Sequence, residues 1–157
     1  MTQKLEKIQR LLQENKLDGW LFTDYHGHDH ITRDFLQLTD RFCTRRLFYL
    51  IPAQGQPVKL LSAIEPLLLD HLPGEKQLYK GIRGQKEALS RLLVPGQKIA
   101  CQYAPMGNVP TISTMDAGLV EYLRSQGWNV EYPFHGIDTA FKAVLGDGNS
   151  HKRKLAI

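Results

Sequence analysis

Three histidines at alternating positions are the first side chains in this sequence with types and spacing suited to chemistry. His26, His28 and His30 follow an apolar run in the segment LFTDYHGHDHITRDF. In an extended chain alternate side chains share a face, so His26, His28 and one further ligand could bind zinc. Gly27 favours a turn instead, and the residues after it have helical spacing. The pattern favours solvent-facing loop histidines that could line a partner's pocket, with a zinc site as the alternative.

Charged residues at the ends of two predicted strands form the second group of candidates. Asp24 ends a strand, a position at which α/β sheets often place catalytic acids, although an aspartate that simply precedes a turn occupies the same position. Arg45 and Arg46 begin the next strand. Their guanidinium groups could bind a carboxylate of a substrate or of a second subunit through paired hydrogen bonds. An ordinary surface ion pair is the alternative that we slightly prefer for the arginines.

The sequence lacks the common motifs of catalytic and nucleotide-binding centres. It contains no GxGxxG, GxxxxGK[ST], HExxH or GxSxG. The two cysteines, Cys43 and Cys101, lie beside apolar residues and have no CxxC spacing. We therefore expect two buried free thiols rather than a redox or zinc centre.

Composition and charge exclude further classes of protein. The chain is 42% hydrophobic and 23% charged, which is ordinary for a globular domain. Its net charge is +4, but three basic residues lie in the last seven positions, and the other 150 residues hold 17 basic and 16 acidic side chains. Without a basic patch we expect no nucleic-acid partner. No apolar run reaches the ~20 residues of a membrane helix, and the N-terminus does not resemble a secretory signal, so we expect a cytoplasmic protein with no membrane partner.

The elements that must position the candidate residues alternate between helices and strands. Apolar spacing and turn residues predict helices at 3–16, 28–38, 64–74, 84–96 and 113–127, and strands at 19–24, 45–52, 57–63, 77–81, 98–103 and 128–132. The strands at 45–52 and 57–63 should form a hairpin, and residues 98–132 a right-handed parallel crossover. Ser113 and Asp116 are spaced as in a capping box. The expected fold is α/β with a mixed sheet covered by helices.

The order and spacing of these segments resemble the N-terminal domain of the creatinase, prolidase and Xaa-Pro aminopeptidase family, the pita-bread metallopeptidases. The resemblance extends from about Leu5 to about Val144 and rests on DGWLFTDYHG, TRRLFYLIPAQGQPVKLL, IEPLLLDHLPG and GQKIACQYAPMGNVPTISTMDAGLVEYLRSQG. It implies a three-layer α/β domain with a mixed β-sheet flanked by helices, similar in topology to ribonuclease H. Residues 1–140 would form this domain, and residues 141–157 would start a linker to a C-terminal catalytic domain that the sequence does not contain.

The resemblance also implies where catalysis takes place. In this family two divalent metal ions (Mn, Co or Zn) bind to aspartates, glutamates and a histidine of the C-terminal domain, where they activate water and polarise the carbonyl group. We therefore expect no catalytic residue, metal ligand or cofactor in this chain. The parent protein would hydrolyse Xaa-Pro peptide bonds.

Three partners follow from the same resemblance: the chain's own catalytic domain, a second copy in a homodimer, and a proline-containing peptide bound by the parent. In this family the loop after the first strand can approach the neighbouring subunit's active site. The candidates for such a substrate-side or subunit-contact loop are Asp24, His26, His28, His30, Arg45 and Arg46. A free-standing module of the same fold that binds a small ligand or a protein is the alternative, and a small zinc protein that uses the histidine cluster is the third possibility.

Overall fold

The structure, a computed structural model, describes residues 2–132, and there the chain forms four α-helices and six β-strands. The helices are α1 (Thr2–Glu14), α2 (His30–Phe35), α3 (Gly81–Leu92) and α4 (Ala117–Ser125). The strands are β1 (Gly19–Asp24), β2 (Leu47–Pro52), β3 (Val58–Ser62), β4 (Glu75–Tyr79), β5 (Lys98–Ala100) and β6 (Asn129–Glu131). Two short 3-10 helices, Pro105–Gly107 and Pro110–Ile112, connect β5 to α4.

The strands form one mixed sheet in the order β4-β3-β2-β1-β5-β6. Strand β2 runs antiparallel to both of its neighbours, β1 and β3, and the other neighbouring pairs are parallel. The predicted hairpin is therefore β2–β3, and the predicted parallel crossover is β5–α4–β6. The hairpin and the parallel arrangement of the crossover are confirmed, as is the expected fold class.

This topology gathers strand ends at one edge of the sheet. Five strands run in the same direction and end at that edge, where β2 begins. We call it the carboxyl edge. Chain segments that are far apart in sequence, after β1, β3 and β4 and before β2, consequently lie side by side there.

Hydrophobic cores on both faces of the sheet make the domain three-layered. Along β1 the side chains alternate, so Trp20 and Phe22 pack in one core and Leu21 in the other. Helices α1 and α2 cover the first face through Ile8, Leu12 and Phe35, and helices α3 and α4 cover the second through Leu89, Val120 and Leu123. Trp20 and Trp128 are both buried, as expected for core residues.

A buried chain of hydrogen bonds fixes α2 against the end of the central strands. Asp29 is the N-cap of α2, and its carboxylate accepts hydrogen bonds from the Thr32 amide at 3.1 Å and the Thr32 hydroxyl at 2.7 Å. The Gln102 amide donates to the Thr32 hydroxyl and accepts from the Trp20 indole. Burial raises the pKa of Asp29 above its ordinary value. The cap explains why α2 begins at residue 30 rather than at residue 28.

The predicted helix at 64–74 is wrong, because this segment consists of successive turns. The ammonium group of Lys59, a buried residue of β3, donates hydrogen bonds to the carbonyl oxygens of Leu69 and Leu72. Amides in the segment bond three residues back, as Leu72 does to Leu69. The strand therefore holds the segment through carbonyl groups that have no helical N–H partner, since residue 73 is a proline and residue 76 lies in β4.

Two smaller predictions also differ from the structure. The N-cap of α4 is Asp116, whose carboxylate accepts from the Leu119 amide at 2.8 Å. Ser113 instead ends the 3-10 helix Pro110–Ile112, and its hydroxyl accepts from the Ala104 amide. Strand β5 stops at Ala100 because a tight turn follows, in which the Tyr103 amide donates to the Cys101 carbonyl at 2.7 Å.

Cys43 and Cys101 are buried free thiols, as predicted. The predicted linker at 141–157 and its basic residues lie outside the described residues. Within residues 2–132, none of the helices has the length and apolar character needed to span a bilayer.

Candidate functional site

A cleft of about 720 Å³ opens at the carboxyl edge, next to the segments that the sequence analysis singled out. Its lining comes from the loops after β1, β3 and β4, the residues before β2 and the start of α3. The residues that line it are Tyr25, Arg45, Arg46, Ser62, Ala63, Ile64, Tyr79, Lys80, Gly81, Ile82 and Gln85. Open α/β sheets commonly bind ligands in this position, outside the carboxyl ends of their strands.

The charged side chains that line the cleft are all cationic: Arg45, Arg46 and Lys80. Arg46 is neutralised, because its guanidinium nitrogen lies 2.6 Å from a carboxylate oxygen of Asp116, and it also lies 5.7 Å from the centre of the Tyr25 ring. Among residues 2–132, the hydrogen-bond partners of the Arg45 guanidinium are the carbonyl and hydroxyl oxygens of Thr44. Within the described part of the chain, neither Arg45 nor Lys80 forms an ion pair.

Buried polar groups form the floor of the cleft. The Tyr79 hydroxyl donates to the Arg46 carbonyl oxygen and accepts from the Gln85 amide at 3.2 Å. The Ser62 hydroxyl accepts from the Ile64 amide at 3.3 Å. Burial raises the pKa of Tyr79, so this phenol stays protonated and remains a hydrogen-bond donor at neutral pH.

The rim of the cleft exposes large apolar side chains. Ile64 is 70% exposed, Ile82 is 68% exposed and Tyr25 is 39% exposed. Phe42, at 60% exposure, lies nearby on the ring of His26. A cluster of exposed large apolar side chains is typical of a surface that contacts another molecule.

Asp24 lies beneath the loop after β1 and not in the cleft. Its buried carboxylate accepts hydrogen bonds from the amides of Gly27 at 3.1 Å and Asp29 at 2.9 Å, and pairs with Arg33 at 3.3 Å. The Cys43 thiol also donates to it. With four donors around it, this carboxylate orients the loop and is not placed to exchange protons with a ligand.

The three histidines are exposed and point to no common ligand site. His26 has a left-handed backbone (φ 54°), and its ring packs on Tyr25 at 4.4 Å and Phe42 at 5.2 Å between centroids. His28 meets the Tyr25 ring edge-on, and His30 is the first residue of α2. In residues 2–132 no three side chains of histidine, cysteine, aspartate or glutamate are grouped so as to hold a metal ion.

Of the candidate residues named from sequence, Arg45 and Arg46 line the cleft. Ser62, Tyr79 and Lys80 also line it and were not among those candidates. A usable signal was present for Ser62 and Lys80, since each is the second-last residue of a predicted strand, 57–63 and 77–81. The strand-end reasoning that selected Asp24 would have selected them too.

Comparison with known proteins supports the fold through structure rather than through sequence. No family model matches the chain, and no curated protein does. The fold matches the creatinase/prolidase N-terminal domain of an X-Pro dipeptidase from Streptococcus pyogenes, with 17% identity, a TM-score of 0.59, and coverage of 85% of this chain and 97% of that one. It also matches the N-terminal domain of the Xaa-Pro dipeptidase from Lactobacillus brevis, with 13% identity, a TM-score of 0.61, and coverage of 89% and 98%.

A longer protein matches over part of its length. The prolidase from Thermococcus sibiricus has 13% identity and a TM-score of 0.64, and the match covers 88% of this chain but 36% of that one. The chain therefore has the fold of a creatinase/prolidase N-terminal domain, as its segments predicted. It corresponds to about a third of the longer prolidase.

Proposed function

We propose that this chain is the non-catalytic N-terminal domain of an Xaa-Pro dipeptidase or aminopeptidase and works with a C-terminal catalytic domain. The observation that supports this most directly is its match to two separately solved N-terminal dipeptidase domains over 97% and 98% of their length. The parent would be a cytoplasmic hydrolase of Xaa-Pro peptide bonds. Its two divalent ions (Mn, Co or Zn) would bind in the catalytic domain.

In this proposal the carboxyl edge contributes to a homodimer and to one wall of the parent's substrate cleft. The loop with Asp24, His26, His28 and His30 forms part of that surface, together with Arg45 and Arg46. Phe42, an exposed apolar side chain that does not line the cleft, would be covered by a partner, and the cleft would stay open. Asp24 does not contact the partner in this proposal; its buried carboxylate holds the loop through the amides of Gly27 and Asp29.

The first test is an activity assay of the purified chain. Ala-Pro and Ala-Pro-Ala are incubated with it, with and without Mn²⁺, Co²⁺ or Zn²⁺, and release of alanine is followed by mass spectrometry. We expect no cleavage above the buffer blank. Cleavage that follows this chain through successive chromatography steps would contradict the proposal that it is non-catalytic.

The second test concerns the dimer. Light scattering after gel filtration should give the mass of two chains, and Phe42→Glu should shift that mass toward one chain without lowering the thermal midpoint. Val94→Glu is the matched control, because Val94 is also exposed but precedes β5, at the opposite edge of the sheet. A dimer that tolerates Phe42→Glu would place the interface away from the carboxyl edge.

One observation favours a second function. The cleft is large enough for a small molecule, so the chain could also act as a ligand-binding module of the same fold.

A further inference from the structure

We propose that a single copy of this chain binds a small carboxylate with an aromatic or branched apolar body in the cleft at the carboxyl edge. Arg45 and Lys80 hold the carboxylate, and Tyr25, Ile64 and Ile82 enclose the apolar part. The site needs neither a metal ion nor a second subunit. It is therefore independent of the proposed peptidase.

The sign of the ligand's charge follows from the unneutralised cations. Arg46 already pairs with Asp116, whereas Arg45 and Lys80 line the same cleft without a carboxylate partner in the described residues. Both residues are exposed and line the same cleft, so an anion that binds there is attracted by two cations that have no ion-pair partner in the described residues. The planar guanidinium of Arg45 is suited to a carboxylate because it can donate two parallel hydrogen bonds.

Glu65, whose carboxylate accepts from the Arg45 amide, does not fill this role. The carboxylate of Glu65 accepts from the Thr44 amide at 2.9 Å, the Thr44 hydroxyl at 3.1 Å and the Arg45 amide at 2.7 Å. It therefore holds the backbone before β2 and makes no ion pair with the Arg45 guanidinium. The start of α3 adds no negative charge, since its first turn holds no acidic residue and its N-cap, Lys80, makes no capping hydrogen bond.

The floor supplies fixed polar groups that orient a ligand. Gln85 is 8% exposed, Tyr79 is 5% exposed and Ser62 is 4% exposed. Ser62 accepts a hydrogen bond from the Ile64 amide, so its own hydroxyl hydrogen can point into the cleft. Gln85 and Tyr79 hold each other by a hydrogen bond and keep the floor rigid.

The size and walls of the cleft define the rest of the ligand. A volume of about 720 Å³ lies within the range of small-molecule sites. Tyr25, Ile64 and Ile82 offer one aromatic and two branched surfaces to water, and covering them is favourable. A free inorganic anion would leave these apolar side chains exposed to water, so the ligand is an organic carboxylate.

The test compares a charged probe with its neutral counterpart. Binding of 1-naphthaleneacetate and of 1-naphthaleneacetamide to the full chain is measured by isothermal titration calorimetry at low salt. We expect the affinity of the acid to exceed that of the amide by a factor of about ten or more. A hydrogen bond between charged groups accounts for at least this factor. Equal affinities, or binding of neither probe, would overturn the proposal.

Variants then locate the site. The double change Arg45→Gln and Lys80→Gln should weaken naphthaleneacetate binding about tenfold and leave amide binding unchanged. Ile82→Glu puts a carboxylate on the wall of the cleft and should abolish binding of naphthaleneacetate. Lys98→Gln, an exposed lysine at the start of β5, is the control for net charge and should bind as the wild type does.

Binding must also survive loss of the dimer. The monomeric Phe42→Glu variant should bind the acid as tightly as the wild type, which separates this proposal from the proposed peptidase function. Loss of binding in Phe42→Glu, or equal weakening by Lys98→Gln and the double change, would contradict a site in a single copy. Circular dichroism confirms that each variant is folded.

Discussion

The thiol of Cys43 donates a hydrogen bond to a carboxylate oxygen of Asp24 across 3.2 Å, and both residues are buried. The contact joins the end of β1 to the segment before β2. That carboxylate also holds the amides of Gly27 and Asp29. One buried pair therefore fixes the loop that bears the histidines and Tyr25, and with it one wall of the cleft.

The Cys43 thiol should make stability fall at high pH. Burial, with smaller contributions from Asp24, raises its pKa from 9.0 to about 11. The unfolded thiol ionises from about pH 9, whereas the folded thiol keeps its proton until about pH 11. The folded state therefore holds more protons in this window, and the free energy of unfolding decreases as pH rises, by up to about 2 kcal/mol.

Urea unfolding at pH 8, 9 and 10 measures this decrease. The matched variant is Cys43→Ser, whose hydroxyl can still donate to Asp24 but does not ionise in this range. The pH slope should be smaller in the variant than in the wild type. Equal slopes would mean that Cys43 does not contribute, and that Cys101 or the buried tyrosines cause the whole effect.

Asp24→Ala should be among the most destabilising single changes in the chain. It removes the acceptor for two amides and the partner of Arg33, whose side chain is 18% exposed. We expect a cost of about 2–4 kcal/mol, because the Asp29 amide and the Cys43 thiol stay buried without this acceptor. The Arg33 guanidinium keeps only its bonds to the carbonyl oxygens of Leu38 and Arg41. Urea unfolding of Asp24→Ala is compared with that of Asp40→Ala, an exposed aspartate, which should differ from the wild type by less than about 0.5 kcal/mol.

A small effect of Asp24→Ala, close to that of Asp40→Ala, would contradict the role of Asp24 in holding the loop. Nuclear magnetic resonance of the Gly27 and Asp29 amides gives a second measure. Their exchange with solvent should speed up in Asp24→Ala alone.

The central strands were predictable from sequence because their burial shows in the sequence itself. Strand β1 was predicted with its observed bounds, since an apolar run between a glycine and an aspartate is the local pattern of a buried strand. The segment 64–74 was not predictable in this way. Its leucines have helical spacing, but the donors that decide its conformation, Lys59 among them, lie on other elements.

The candidate site was predictable only in part, for a similar reason. Arg45 and Arg46 stand out locally as a charged pair before an apolar strand. Ser62 and Lys80 become neighbours only because β3 and β4 pair in parallel, with Ser62 opposite Tyr79. Parallel pairing between strands is not encoded in either strand alone, so single strand ends could be predicted from sequence but not which of them meet in one cleft.

Lys59→Met should loosen the segment 64–74. The buried ammonium bonds to the carbonyl oxygens of Leu69 and Leu72. Without it the Leu72 carbonyl loses this donor, whereas the Leu69 carbonyl keeps the Leu72 amide. We expect a loss of about 1–3 kcal/mol and faster hydrogen exchange in this segment. Lys76→Met is the contrast, because Lys76 pairs with Asp70 of the same segment at the surface and should contribute less than about 1 kcal/mol.

Hydrogen exchange, measured by mass spectrometry, compares the amide exchange rates of the segment 64–74 in the two lysine variants. Faster exchange in 64–74 for Lys59→Met, with little change for Lys76→Met, is the expected result. The reverse order would mean that the surface pair, and not the buried lysine, holds the turns in place.

Gly74→Ala should be much more destabilising than Gly55→Ala, although both glycines have positive φ angles, 124° and 96°. A Cβ atom at Gly74 would lie 2.5 Å from the carbonyl oxygen of Pro57, closer than real contacts allow, whereas at Gly55 it would meet nothing within 4 Å. Gly55→Ala therefore measures backbone strain alone, about 1–2 kcal/mol. Gly74→Ala adds a clash with the backbone of Pro57, just before β4, that no rotamer can relieve.

Thermal unfolding compares the two variants. Their midpoints should differ by several degrees for each kcal/mol of difference in stability. Equal midpoints would show that the contact between Gly74 and Pro57 does not constrain the entry into β4.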